Sequence, residues 1–190
     1  MEAAVLSDPK VKFGDTVVHL QRGDITEQDV DAFVFYAQND LALGSGFGGM
    51  ITVRGGASIQ KELDELAPVP DLGAVVSGAG KLTAEFIIHS LGPRFREDDI
   101  EAKLVTTMEN VLAKAEEKRI KTLAFPAMGA GYYGVPAPES ARAMLSALSS
   151  HLGGKTGLEE VTICVLDAPQ FNAFQAAFEA APNAASPAQS

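Results

Sequence analysis

Two glycine-rich stretches carry the residue types and spacing best suited to chemistry in this chain. They are Gly44-Ser45-Gly46-Phe47-Gly48-Gly49 and Gly129-Ala130-Gly131-Tyr132-Tyr133-Gly134. Glycine reaches positive φ and has no side chain, so successive N–H groups can converge on phosphate oxygens. Both stretches fit G-x-G-x-x-G. A dinucleotide loop also needs a strand directly before it, a helix directly after, and an acid ending the next strand about 20 residues on. Gln38 to Leu43 separate the first stretch from its strand, and the acids at the right distance, Asp64 and Glu65, fall on a helix. The second stretch follows a strand directly, but its next strand-end acid, Asp167, lies much too far on. Gly154-Lys155-Thr156 has the ending of a P-loop, yet Ser149 stands at its first glycine and the segment joins a helix to a strand, the reverse of the required order. Two glycine loops at one sheet edge could still grip a diphosphate from both sides. The alternative is two tight turns with no ligand.

The remaining reactive residues are sparse. His19, His89 and His151 are scattered and Cys164 is the single cysteine, which excludes an internal disulfide and a cysteine-based zinc site. No metal is expected. His89 sits mid-strand among apolar residues and is assigned to the core. Lys and Arg total 15 against 25 Asp and Glu, a net charge of −10 with a pI near 4.7. That field repels nucleic acid and acidic membranes, so neither is an expected partner. An anionic ligand must be held by local N–H groups and helix N-termini. No apolar run approaches the roughly 18–20 residues of a membrane span. The acidic start, Met1 to Asp8, lacks the basic region of a signal peptide. The expected compartment is the cytoplasm.

Alternating elements must position these loops. The 190 residues, 46% hydrophobic and 21% charged, are enough for one domain with its own core. Val11 to Phe13 and Thr16 to Gln21 read as strands joined at Gly14-Asp15. Asp31 to Ala37, Glu85 to Leu91, Thr122 to Ala127 and Val161 to Leu166 read as buried strands. Helices are predicted over about Ser58 to Leu66, Asp98 to Lys118, Ala141 to Leu152, with Pro138 placed at its start, and Ala173 to Ala180. Leu104, Met108, Val111, Leu112 and Ala115 form the inward stripe of the second of these. Residues 44–49 read as a loop. Residues 182–190, rich in Ala, Pro, Ser, Asn and Gln, read as a disordered tail. Strands separated by helices imply a mostly parallel sheet covered on both faces, made mixed by the first hairpin. Ligands of such sheets sit beyond the C-terminal strand ends, where both glycine stretches lie.

The chain then resembles a macrodomain, the ADP-ribose-binding module. Arg22-Gly23-Asp24-Ile25-Thr26 is similar to the family's Gly-Asp-Ile-Thr, and Val30-Asp31-Ala32-Phe33-Val34 and the first glycine loop follow in order. Phe86-Ile87-Ile88-His89-Ser90-Leu91-Gly92-Pro93 resembles Tyr-Val-Ile-His-Thr-Val-Gly-Pro. Phe125-Pro126-Ala127-Met128-Gly129-Ala130-Gly131-Tyr132-Tyr133-Gly134-Val135-Pro136 resembles Phe-Pro-Ala-Ile-Ser-Thr-Gly-Val-Tyr-Gly-Tyr-Pro. The resemblance spans roughly residues 11–180. It implies a three-layer α/β/α macrodomain fold with a central mixed sheet over residues 11–181, preceded by a segment 1–10. ADP-ribose, free or attached to a protein, is the implied ligand, with no cofactor.

Residue by residue, the resemblance makes Asp24 the acid that accepts from the adenine amino group. Its plain alternative is the N-cap of a helical turn through Glu27 to Asp29, and both roles can hold together. Ile25 then offers a nearby N–H. Ser45, Gly46, Phe47 and Gly48 line the first phosphate loop, and Gly129, Ala130, Gly131, Tyr132 and Tyr133 the second, with Tyr133 against the distal ribose. Phe171 falls where the family places an aromatic on the adenine, or else pairs with Phe174 in the core. The departures concern catalysis. Hydrolytic members carry Asn-Ala-Ala-Asn at the end of the third strand, where this chain has Phe35-Tyr36-Ala37-Gln38. Gln38, or Asn39 by a shift of one, takes the distal-ribose position, and Gln38 is the candidate catalytic residue. Gly48 stands where the family has an aspartate that orients water. The implied activity is hydrolysis of ADP-ribosyl esters, on acidic residues or on O-acetyl-ADP-ribose. The alternative is a non-catalytic ADP-ribose reader.

Overall fold

A computed structural model describes residues 8–94, 96–131 and 133–182. Tyr132 and most of the predicted tail therefore lie outside the described residues. The first hairpin forms as its sequence predicts. β1 (Lys10–Phe13) pairs antiparallel with β2 (Thr16–Arg22), and Phe13 opposite Thr16 closes it around Gly14-Asp15. Five further strands complete one sheet: β3 (Ala32–Tyr36), β4 (Ala74–Gly78), β5 (Phe86–Ser90), β6 (Thr122–Phe125) and β7 (Glu160–Val165). Their order is β1-β2-β7-β6-β3-β5-β4. The β2, β7, β6, β3 and β5 neighbours are all parallel, and β1 and β4 close the edges antiparallel. The sheet is thus mixed, and each inner strand is covered on both faces.

The pleat sends alternate residues into two cores. On one face, Val34, Ile88, Leu123 and Ile163 meet α3 (Ile100–Glu117), α4 (Ala137–Leu152) and α5 (Ala168–Glu179). All five residues of the predicted α3 stripe, Leu104 to Ala115, are fully buried there. On the other face, Phe33, Ile87, Ala124 and Cys164 meet α1 (Gly46–Gly55) and α2 (Ser58–Leu66). This is the three-layer α/β/α architecture. His89 follows the same alternation: it is buried in β5, its Nε2 lies 2.8 Å from Ser77 Oγ, and burial holds its imidazole neutral with the pKa pushed down to about 3.

Three local expectations are corrected. Residues 44–49 are not a loop throughout, because α1 begins at Gly46. Its sequence, GFGGMITVRG, combines glycines with β-branched Ile51, Thr52 and Val53, all weak helix formers. The helix forms because Ile51 is fully buried in the second core. A strand that the sequence pattern does not mark, β4, pairs its five residues antiparallel with β5. The final helix starts at Ala168 rather than Ala173, since Asp167 caps it by accepting from Gln170 N. Helix α4 begins at Ala137 and carries Pro138 in its first turn, as the sequence predicts, because a missing N–H costs nothing there.

Candidate ligand cleft

A cleft of about 410 Å³ opens over the C-terminal ends of four adjacent strands. Gly23 follows β2, Leu166 follows β7, Pro126 and Ala127 follow β6, and Tyr36 and Gln38 end or follow β3; all line the cleft. The strands stop together, so the segments leaving them form the floor.

The N-terminus of α1 forms one wall, through Ser45, Gly46, Phe47 and Gly48. Ser45 is the extended N-cap residue, and its side chain makes no capping hydrogen bond. The first N–H groups of a helix have no intrahelical acceptor, and its dipole is positive there. This wall is therefore suited to an anion. Gly48 is fixed by close approach, since a Cβ there would stand 1.9 Å from the Leu43 carbonyl oxygen. No aspartate fits at this position without moving the backbone, so the departure from the hydrolytic pattern is built into the packing. Leu43 N donates to Gln60 Oε1 at 2.9 Å, which ties this wall to α2.

The second glycine stretch forms the facing wall. Gly129 has φ +71°, and its carbonyl accepts from Val135 N at 2.9 Å. The turn is closed by Gly134 N donating to Gly131 O at 3.0 Å. Gln170 of α5 braces it by donating to the Ala130 carbonyl at 3.0 Å. A side chain added at Gly131 would meet open space. Tyr133 donates to the Ala37 carbonyl at 3.3 Å and packs on Tyr36, ring centroids 4.7 Å apart. Tyr36 in turn donates to the Pro93 carbonyl at 2.5 Å, and burial raises its phenol pKa far above the ordinary tyrosine value. The two tyrosines thus join the second loop to the end of β3.

Asp24 sits at the opposite end, between Gly23 and Ile25, which line the cleft. It is the N-cap of a 3-10 turn over Ile25–Glu27. Its Oδ1 accepts from Thr26 N at 2.9 Å and Thr26 Oγ1 at 2.7 Å, and its Oδ2 accepts from Arg54 Nη1 at 2.7 Å. Burial alone would raise its pKa, but the Thr26 bonds and the Arg54 charge outweigh burial and lower it. A carboxylate offers about four lone-pair sites, so three bonds leave one free for a ligand N–H. Both readings of Asp24 are geometrically compatible. Beside it, Cys164 donates to the Gly23 carbonyl, and burial pushes its thiol pKa up to about 11, so it is not a nucleophile at neutral pH.

Of the residues singled out from sequence, Ile25, Gln38, Ser45, Gly46, Phe47, Gly48, Gly129, Gly131 and Tyr133 all line the one cleft. Asp24 and Ala130 adjoin it. Asn39 faces a neighbouring cleft instead. Phe171 packs against the α3–α5 core and does not line this cleft; Leu166 and Gln170 occupy that end. Sequence reading missed Arg54 and Gln170. Arg54 lies 30 positions from Asp24 with no local pattern linking them, whereas Gln170 could have been placed from Asp167 as a helix cap. Among the described residues, no Asp, Glu, His, Lys or Arg lines the cleft, and no cluster of metal-binding side chains occurs.

Comparison with known proteins agrees with this architecture. The family model described as Macro domain matches residues 36–144. A macro domain-containing protein of Caldanaerobacter subterraneus subsp. tengcongensis is 33% identical over 85% of this chain and 95% of its own length. One from Streptomyces coelicolor is 33% identical over 85% and 98%. An uncharacterized protein of Sulfurisphaera tokodaii is 35% identical over 86% and 91%. Among solved structures, an Oceanobacillus iheyensis macrodomain with ADP has a TM-score of 0.84 at 23% identity, covering 90% of this chain and 94% of that one. A Trypanosoma brucei macrodomain in complex with ADP-ribose has a TM-score of 0.77 at 20% identity, covering 84% and 68%. By its matched model, its relatives and its fold, the chain belongs to the macro domain family.

Proposed function

We propose that this protein binds ADP-ribose, free or attached to another molecule through its distal ribose. The observation that carries this reading is the pairing of two glycine walls across one cleft, with Asp24 at one end and Gln38 at the other. The adenine amino group donates to the open site on Asp24 Oδ2. The diphosphate lies between the α1 N-terminus and Gly129–Gly131, where N–H groups offset the repulsion of a chain carrying −10. The distal ribose rests by Tyr133 and Gln38. Solved macrodomains of the same fold hold ADP and ADP-ribose, which supports the choice of nucleotide.

The same cleft bounds the chemistry. Hydrolysis of an acyl ester at the anomeric carbon adds water and releases free ADP-ribose and a carboxylic acid. A general base contributes about 10²–10⁴-fold to such a step. Tyr36 and Cys164 are poor bases at neutral pH because burial keeps them protonated. Ester hydrolysis here runs on positioning, with Gln38 holding a ribose hydroxyl through both amide atoms and the ligand's own phosphate orienting water. The consequence is slow turnover, and the lack of a base favours retention of the ligand over processing. Incubation with a Glu/Asp-linked mono-ADP-ribosylated protein tests the two modes. Slow release of ADP-ribose that is lost in Gln38→Ala marks a hydrolase, and tight retention without release marks a reader.

A further inference from the structure

A second cleft, of about 400 Å³, adjoins the first, and Gln38 and Tyr133 line both. They stand at the end where the preceding reading, on which this inference rests, puts the distal ribose. Whatever is joined to that ribose leaves the first cleft into the second. The second cleft is far more polar: Asn39, Asp71, Arg94, Glu97 and Lys103 line it.

These side chains are unequally committed. Glu97 accepts from Lys103 Nζ at 2.9 Å and from the Arg94 backbone N–H at 2.9 Å. One carboxylate thus neutralises Lys103 and fixes the chain at Arg94. The Arg94 guanidinium lies in the field of Glu97 but makes no hydrogen bond or ion pair among the described residues. The Asn39 backbone carbonyl accepts from Val69 N, while its side-chain amide has no partner among the described residues. An unpaired guanidinium suits a carboxylate, and an unpaired amide matches the donor and acceptor of a peptide bond.

We propose that this second cleft is an acceptor subsite that binds the polypeptide flanking an ADP-ribosylated side chain and prefers an acidic residue next to the linkage. Arg94 pairs with that acid, and Asn39 meets the peptide backbone. The charge count favours a peptide over a second nucleotide: Lys103 is taken by Glu97, so Arg94 can balance one carboxylate, whereas a diphosphate brings two negative charges toward Asp71 and Glu97. Arg94 is exposed, so its replacement leaves the core intact.

The test uses the full chain and three ligands: free ADP-ribose, a peptide carrying ADP-ribose through a non-hydrolysable link beside Glu, and the same peptide with Gln in place of that Glu. The wild type binds the Glu peptide about three- to tenfold more tightly than the Gln peptide, the range of a partly exposed Arg–carboxylate pair. Arg94→Ala and Arg94→Glu erase that preference and leave affinity for free ADP-ribose unchanged. Equal binding of the two peptides by wild type, or a preference that survives both variants, overturns the subsite. Equal loss for free ADP-ribose also overturns it, by placing Arg94 in the first cleft. A di-ADP-ribose ligand whose extra affinity depends on Arg94, without any peptide preference, assigns the cleft to a second nucleotide and overturns the peptide occupant. Failure of wild type to bind free ADP-ribose instead removes the underlying reading, and the subsite with it.

Discussion

Replacing Asp24 by Asn separates its two roles. Oδ1 of the new side chain still accepts from Thr26 N, so the cap of the 3-10 turn survives. The amide nitrogen replaces Oδ2, which now accepts from Arg54 and has one lone pair left for a ligand donor. A hydrogen bond from a neutral donor to a charged acceptor contributes about 1.5–3 kcal/mol. The Asp24 side chain is one quarter exposed, so solvent screening favours the lower end, about 1.5–2 kcal/mol or roughly ten- to thirtyfold in affinity. Titration calorimetry with ADP-ribose reads this loss. A parallel titration with inosine diphosphate ribose, whose base presents a carbonyl in place of the amino group, isolates the cause. The wild type prefers the adenine ligand, and Asp24→Asn loses or inverts that preference, because an amide N–H now faces the base. Asp24→Ala also removes the cap, destabilising the fold by about 0.5–2 kcal/mol in thermal melts. The pH dependence has a definite sign. The folded carboxyl pKa lies below its ordinary 3.8, so its contribution to stability is complete above that value and is lost only as pH falls through the lower folded value. An unchanged preference for adenine in Asp24→Asn refutes the assignment.

The walls of the cleft give three more expectations. Gly131→Glu folds normally, because the added side chain meets open space, but its carboxylate occupies the anion site and ADP-ribose binding disappears in the same calorimetric assay; retained binding removes the second glycine stretch from the phosphate site. Gly48→Ala drives a Cβ into the Leu43 carbonyl and lowers stability by about 1–3 kcal/mol in urea unfolding, whereas a neutral effect means that the α1 N-terminus is not fixed there. Gln38→Ala reduces release of ADP-ribose from an ester substrate more than it reduces binding if Gln38 positions the reacting ribose, and equal losses mark it as a binding residue alone.

Much of this molecule is legible in its sequence because the signals are local and repeated. The α3 stripe from Leu104 to Ala115 is buried as its spacing requires, and the apolar neighbours of His89 place it in the core. The two glycine stretches follow strand ends, and the sheet brings them face to face. What stays hidden depends on tertiary contact. Helix α1 has neither propensity nor a clear stripe, and tertiary contacts hold it, chiefly the burial of Ile51 and the bonds of Arg54 to Asp24 and Thr26. Its N-terminus turns the first stretch from a loop into a helix start whose unpaired N–H groups suit an anion. Arg54 reaches Asp24 only after that helix has formed. Phe171 is ambiguous in the sequence: its spacing to Phe174 and its place beyond β7 support two readings equally, and in the fold its half-buried ring packs against the core. The missing carboxylate at Gly48 is visible in the sequence as a substitution. Its physical meaning appears only with the 1.9 Å approach to Leu43.

The decisive measurement is calorimetric titration of the full chain with free ADP-ribose, beside Gly131→Glu under the same conditions. The wild type is expected to bind one ADP-ribose per chain saturably, and the variant none. No heat and no saturation with the folded wild type would contradict the proposed binding.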